Sequence, residues 1–221
     1  MKNKPFENFD FIDFWDDDEY AMNEYIGAPP TEEMIEETER ELGYKLPESY
    51  IWLMKQHNGG IPFNVCFPCD EPTSWADDHV AITGIMGGDK DKIYSLCGQL
   101  GSRFMIEEWG YPDIGVAICD CPSAGHDMIF LDYRECGPQG EPKVVHVDQE
   151  DDYYVTFLPI TLKNLFGDLS TKKSLIRRKK MKEWSWKKFG TQLSHRSCPI
   201  CAQSVIIPWI RSDGFGRYRK R

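Results

Sequence analysis

The chain has no run of 18 or more apolar residues, so no segment reads as a membrane-spanning helix. Its first twenty residues, MKNKPFENFDFIDFWDDDEY, lack an apolar signal core and are acidic, so a cytoplasmic location is expected. No phosphate-cradling glycine loop is present, because Gly87-Gly88-Asp89-Lys90 is too short and lacks the required spacing. No internal repeat occurs. The eight cysteines are irregularly spaced over 221 residues, which excludes a small disulfide scaffold and fits free thiols in a reducing compartment.

Basic residues are scarce over most of the length. Residues 1–170 hold 34 Asp/Glu against 11 Lys/Arg, a net charge of −23. Residues 171–221 invert this with 15 Lys/Arg against 2 Asp/Glu, a net charge of +13. A split this sharp marks a boundary. The expected division is an acidic leader over 1–29, a folded domain over 30–170 and a basic tail over 171–221. An acidic body repels nucleic acid and steers basic partners towards itself. The leader alternates acidic and aromatic residues, a composition typical of segments that stay disordered until they find a surface.

Within the domain, Thr31 is placed to cap a helix, with Glu32 and Glu33 in its first turn. Met34, Ile35, Thr38 and Leu42 share one face, and Gly43 stops it. A second helix starts at Pro47, with Tyr50, Leu53, Met54 and His57 as its core stripe, and Asn58-Gly59-Gly60 ends it. Strands are expected over 80–85, 92–96, 115–119, 128–133, 143–148 and 153–158, with a hairpin turn at Gly137-Pro138-Gln139-Gly140. After Pro159, the spacing of Leu162, Leu165, Phe166 and Leu169 predicts a last helix. The expected fold class is α+β, an antiparallel-rich mixed sheet packed against helices.

ELGYKLPESYIWLMKQHNGG (41–60), WGYPDIGVAICDCPSAGHDMIFLDY (109–133) and VVHVDQEDDYYVTFLPITLKNLFGDL (144–169) together resemble the SUKH superfamily, the Smi/Knr-type domain. The resemblance covers about residues 30–170. It implies an α+β fold with no known catalytic machinery. No cofactor and no bound metal are expected. Many bacterial members are immunity proteins that neutralise a toxin by direct binding, and others, mainly fungal, regulate cell-wall synthesis. This chain is similar to the bacterial immunity type, so its expected partner is a protein, a cognate toxin domain such as a basic nuclease, and no membrane.

Exposed acidic and aromatic residues are the candidate partner-binding positions: Trp75, Asp77 and Asp78; Trp109, Tyr111 and Asp113; and Asp151, Asp152 and Tyr153. Loop Trp and Tyr anchor interfaces, and they also serve simply to pack loops. Cys119 or Cys121 with His126 and Asp127 is an unsupported nucleophile pattern, since nothing in the sequence fixes its geometry. His195, Cys198 and Cys201 supply part of a zinc site, and Cys66-Phe67-Pro68-Cys69 is a distant second pair, so a thiol pair without metal is the expected state. The tail, with Trp184, Trp186 and Phe189 among its Lys and Arg, suits nucleic acid or the acidic body of its own chain, or is an unstructured extension with no role, and the second is favoured by high effective concentration.

Overall fold

The computed structural model describes residues 11–158 except 70, 75, 77 and 78. The expected last helix, the basic tail and the Cys198–Cys201 pair lie outside the described residues. Among the described residues four helices and seven strands follow one another: α1 (Glu19–Glu24), α2 (Glu32–Leu42), α3 (Glu48–Gln56), β1 (Cys66–Pro68), β2 (His79–Ala81), β3 (Gly84–Ile85), α4 (Ser102–Glu107), β4 (Gly115–Asp120), β5 (Asp127–Asp132), β6 (Lys143–Asp148) and β7 (Tyr154–Phe157). The fold class is α+β. The main sheet is an antiparallel meander in the order β3-β4-β5-β6-β7, and β1 and β2 form a separate two-stranded ribbon.

The helices start and stop where their chemistry says. Thr31 Oγ1 accepts the Met34 N–H at 3.1 Å, and Gly43 closes α2 in the left-handed region at φ 80°. Buried Glu39 organises the corner that follows. Its carboxylate accepts the Leu46 N–H at 2.9 Å and pairs with Lys45. Tyr50, Leu53 and Met54 on α3 are all buried, as their spacing requires.

The centre of the sheet is apolar on both faces. Every residue of β4 and β5 is buried, which needs cover on each side. The core joins Tyr50, Leu53, Phe67, Ile118, Phe130 and Val145 into one cluster. β5 and β6 pair in continuous register from Asp127↔Asp148 to Asp132↔Lys143, and the Gly137–Gly140 turn lies in their connection. A bulge in β4 leaves Ile118 without a partner on β5, and the Ala117 N–H beside it goes to Ser102 Oγ on α4 at 2.9 Å.

Three expectations change. Residues 92–96 form turns instead of a strand. Asp89 accepts the Asp91 N–H at 3.1 Å, Ser95 Oγ donates to the Lys92 carbonyl at 3.1 Å, and these local bonds replace a ladder. The single strand expected over 80–85 is two, β2 in the ribbon and β3 in the main sheet. From residue 11 onward the leader has structure of its own. α1 is capped by Asp18, and Phe14, Ala21 and Tyr25 are buried in the domain. The acidic-aromatic segment has found its surface on its own chain.

Candidate partner-binding surface

Three loops meet beside the β6–β7 connection. The first leaves α4 and runs through Trp109 to Asp113. Its anchor is Tyr111, which is buried, stacks on Phe130 at 5.6 Å and donates its hydroxyl to the Gly125 carbonyl at 2.7 Å. Burial, followed by the nearby Cys121 and Asp127, pushes that phenol well above its usual range. Tyr111 therefore holds the loop and has no face to offer a partner, contrary to the sequence expectation.

The second loop carries Gly125 and His126. Gly125 sits at φ 98°, and a Cβ there would lie 2.9 Å from the Trp109 ring, so this position excludes other residues twice over. Trp109 is half-buried and meets the edge of His126 at 5.7 Å. The ring of His126 reaches Gln149 Oε1 at 2.7 Å and faces Glu150 at 3.9 Å.

The third is the turn from Gln149 to Tyr153. Asp152 and Tyr153 are both left-handed, at φ 52° and 59°, and the Tyr154 N–H donates to the Asp151 carbonyl at 3.0 Å. Two successive non-glycine residues in this region are strained by about 1–2 kcal/mol each. Neighbours hold them there. Buried Asp148 accepts the N–H groups of Glu150 and Asp151 and the hydroxyl of Ser74. Tyr153 donates to the Trp109 carbonyl at 2.7 Å and packs edge-on against Tyr111. Asp151 and Asp152 are left exposed at the tip, with Glu108 exposed on the first loop.

Trp109, Tyr111 and Tyr153 are thus in direct contact, with Asp151 and Asp152 beside them. Asp113 is exposed and turns the other way. Its carboxylate bonds Tyr44 at the α2–α3 corner, and after burial it is the main cause of that phenol's raised pKa. Trp75, Asp77 and Asp78 fall outside the described residues.

The residues of the sequence's Cys-His pattern are not brought together. His126 faces Gln149 instead of a cysteine. Asp127 pairs with buried His146 at 3.0 Å, a partnership between neighbouring strands that no sequence motif signals. Burial first, and then neighbouring carboxylates, push the thiols of Cys119 and Cys121 well above their ordinary value, so neither is a ready thiolate. The cavity between Thr73, His79, Cys121, Asp127 and His146 is about the size of one water molecule. Cys66 is half-buried and Cys69 buried, and Cys69 Sγ donates to the Glu71 carbonyl at 3.0 Å. Among the described residues no group of three His, Cys, Asp or Glu side chains is placed to hold a metal ion. No described helix is long and apolar enough to cross a membrane.

This is a small antiparallel α+β domain with a braced acidic-aromatic turn on its surface. The chain matches the SUKH_6 family, described as SMI1-KNR4 cell-wall, over residues 32–166, more than half its length. It belongs to that family, whose domains generally bind protein partners. Comparison with curated proteins and with solved structures gives no match.

Proposed function

We propose that this protein is an immunity-type binding domain that neutralises a bacterial toxin by direct contact, with Trp109, Asp151, Asp152 and Tyr153 at the centre of the contact. The strained turn carries the reading. Backbone strain that surrounding groups over-determine is found where a surface must be presented in one conformation. Here it sets the backbone of a turn that carries two exposed carboxylates and bonds through Tyr153 to the Trp109 carbonyl, and acidic groups near an aromatic loop suit Arg or Lys. The net charge of −23 over residues 1–170 supports a basic toxin, such as a nuclease whose cleft is shaped for phosphates. A cytoplasmic site of action follows from this reading.

Growth rescue tests it. The full chain is expressed with the toxic domain encoded beside it, and survival is scored. Rescue that is lost in Asp151→Lys/Asp152→Lys, with the variant still folded, supports the reading and places the contact. Absence of rescue by the soluble wild-type chain removes it for that toxin. A regulatory protein with an endogenous partner is the second reading, supported by the cell-wall description of the family. Capture of a specific partner from cells that carry no toxin would favour it.

A further inference from the structure

The two edges of the main sheet are finished differently. At one edge, β3 is closed by the loop after α3. There the Gly60 N–H donates to the Ile85 carbonyl at 2.9 Å, and the Ile85 N–H returns a bond to the Gly60 carbonyl at 2.8 Å. At the other edge, and among the described residues, β7 pairs on one side only, with β6. The Leu158 N–H donates across to the Val144 carbonyl at 3.2 Å, so Leu158 and Thr156 turn their backbone groups towards β6. By the alternation of an antiparallel ladder, the N–H and C=O groups of Val155 and Phe157 point the other way, along the open edge. Aromatic side chains flank it, with Tyr154 54% exposed and Phe157 49%. Such an edge is a template for one more strand.

Charge and connectivity select the strand. The turn that leads into β7 carries Glu150, Asp151 and Asp152, all exposed. At the far end of β7, Lys143 lies over the Phe157 ring at 5.2 Å and is already paired with Glu135. A basic occupant fits this surface. Residues 171–221 of the same chain carry a net charge of +13. They contain one run of three β-branched residues, Val205, Ile206 and Ile207, and Pro208 behind it lacks the N–H to prolong a ladder. Covalent attachment holds this segment near β7 at an effective concentration of about a millimolar, which a second copy reaches only in very concentrated solution.

We propose that the basic tail folds back on its own domain, with residues 203–207 added as a sixth strand beside β7 and Lys and Arg side chains set against Glu150, Asp151 and Asp152. The tail then covers one flank of the contact proposed above, and a partner gains that surface by displacing it. This consequence rests on the proposed contact, whereas the docking of the tail does not.

Amide exchange of Val155 and Phe157 in the full chain, followed by NMR at low salt, tests the docking. Both amides are expected to exchange at least about tenfold faster in Ile206→Pro, which breaks the added strand, and in Arg177→Glu/Arg178→Glu/Lys179→Glu/Lys180→Glu, which reverses charge in the tail. In the wild-type chain their protection should fall as salt rises from about 50 mM to about 500 mM. Amides 127–132 in the same spectra report whether the domain is intact, and should a variant not fold, the wild-type salt dependence decides. Unchanged exchange in either folded variant overturns the proposal. Protection that grows with protein concentration also overturns it and assigns the edge to a second copy. No toxin enters the measurement, so its failure leaves the proposed contact standing, and absence of growth rescue leaves the docking standing.

Discussion

Two regions share an acidic-aromatic composition and use it in opposite ways. The strap, residues 11–25, buries Phe14 and Tyr25 and turns most of its carboxylates to water. The turn at 149–153 keeps Asp151 and Asp152 exposed and its Tyr half-buried, held by bonds to its backbone neighbours. The difference is one of satisfaction. In the strap the aromatics find an apolar core, so the segment stabilises its own domain. In the turn the aromatics are spent on bracing, and the charges remain free to attract another molecule.

The sharpest break in that comparison is Tyr25→Ala. It empties a packed socket and strips Asp120 of its phenol, and is expected to destabilise the chain by about 3–5 kcal/mol in urea unfolding. Unchanged stability would place the strap among dispensable segments.

Next comes pH. Folding raises the Asp120 carboxyl from the ordinary value of 3.8 to about 7, so its contribution is fully present below about pH 4 and is lost as pH rises to 7. Asp120→Asn is therefore expected to be more stable than wild type at pH 8, by about 2–4 kcal/mol, with the advantage fading towards pH 4. Denaturation curves for the pair at pH 4, 6 and 8 check it, and parallel curves would refute it.

The turn is expected to respond more weakly in stability and more strongly in binding. Gly125→Ala forces a Cβ against Trp109 at a positive φ and should lower stability by about 1–3 kcal/mol. Tyr153→Phe loses one hydrogen bond, about 1 kcal/mol, and loosens the strained pair. Asp151→Lys/Asp152→Lys should move stability by no more than about 0.5 kcal/mol while slowing association with a basic partner about tenfold or more at low salt. Calorimetric melting and stopped-flow association measure these three. A large stability loss in the charge-reversal variant would turn the tip into a structural element and erase the contrast with the strap.

Much of the fold was legible from residue spacing. Thr31, Gly43, the Tyr50–Leu53–Met54 stripe and the strands from β4 to β7 depend on local periodicity and capping, which neighbouring residues control. Residues 92–96 misled because their β-branched and aromatic pattern competes with side-chain bonds from Asp89 and Ser95, whose outcome depends on what lies across the turn. The proposed contact was half legible. Trp109, Asp151, Asp152 and Tyr153 stood out by type, while Tyr111 carried the same signal and belongs to the core.

Sequence alone therefore determined the α+β class, the helix ends and the acidic character of the body, because each follows from composition or from contacts a few residues apart. The tertiary structure decided which aromatics face inward, that Asp127 meets His146, and that Tyr25 closes over Asp120 from 95 residues away. Those outcomes depend on long-range pairing and on burial, and the same Asp or Tyr acquires a different charge state and role according to the dielectric in which folding places it.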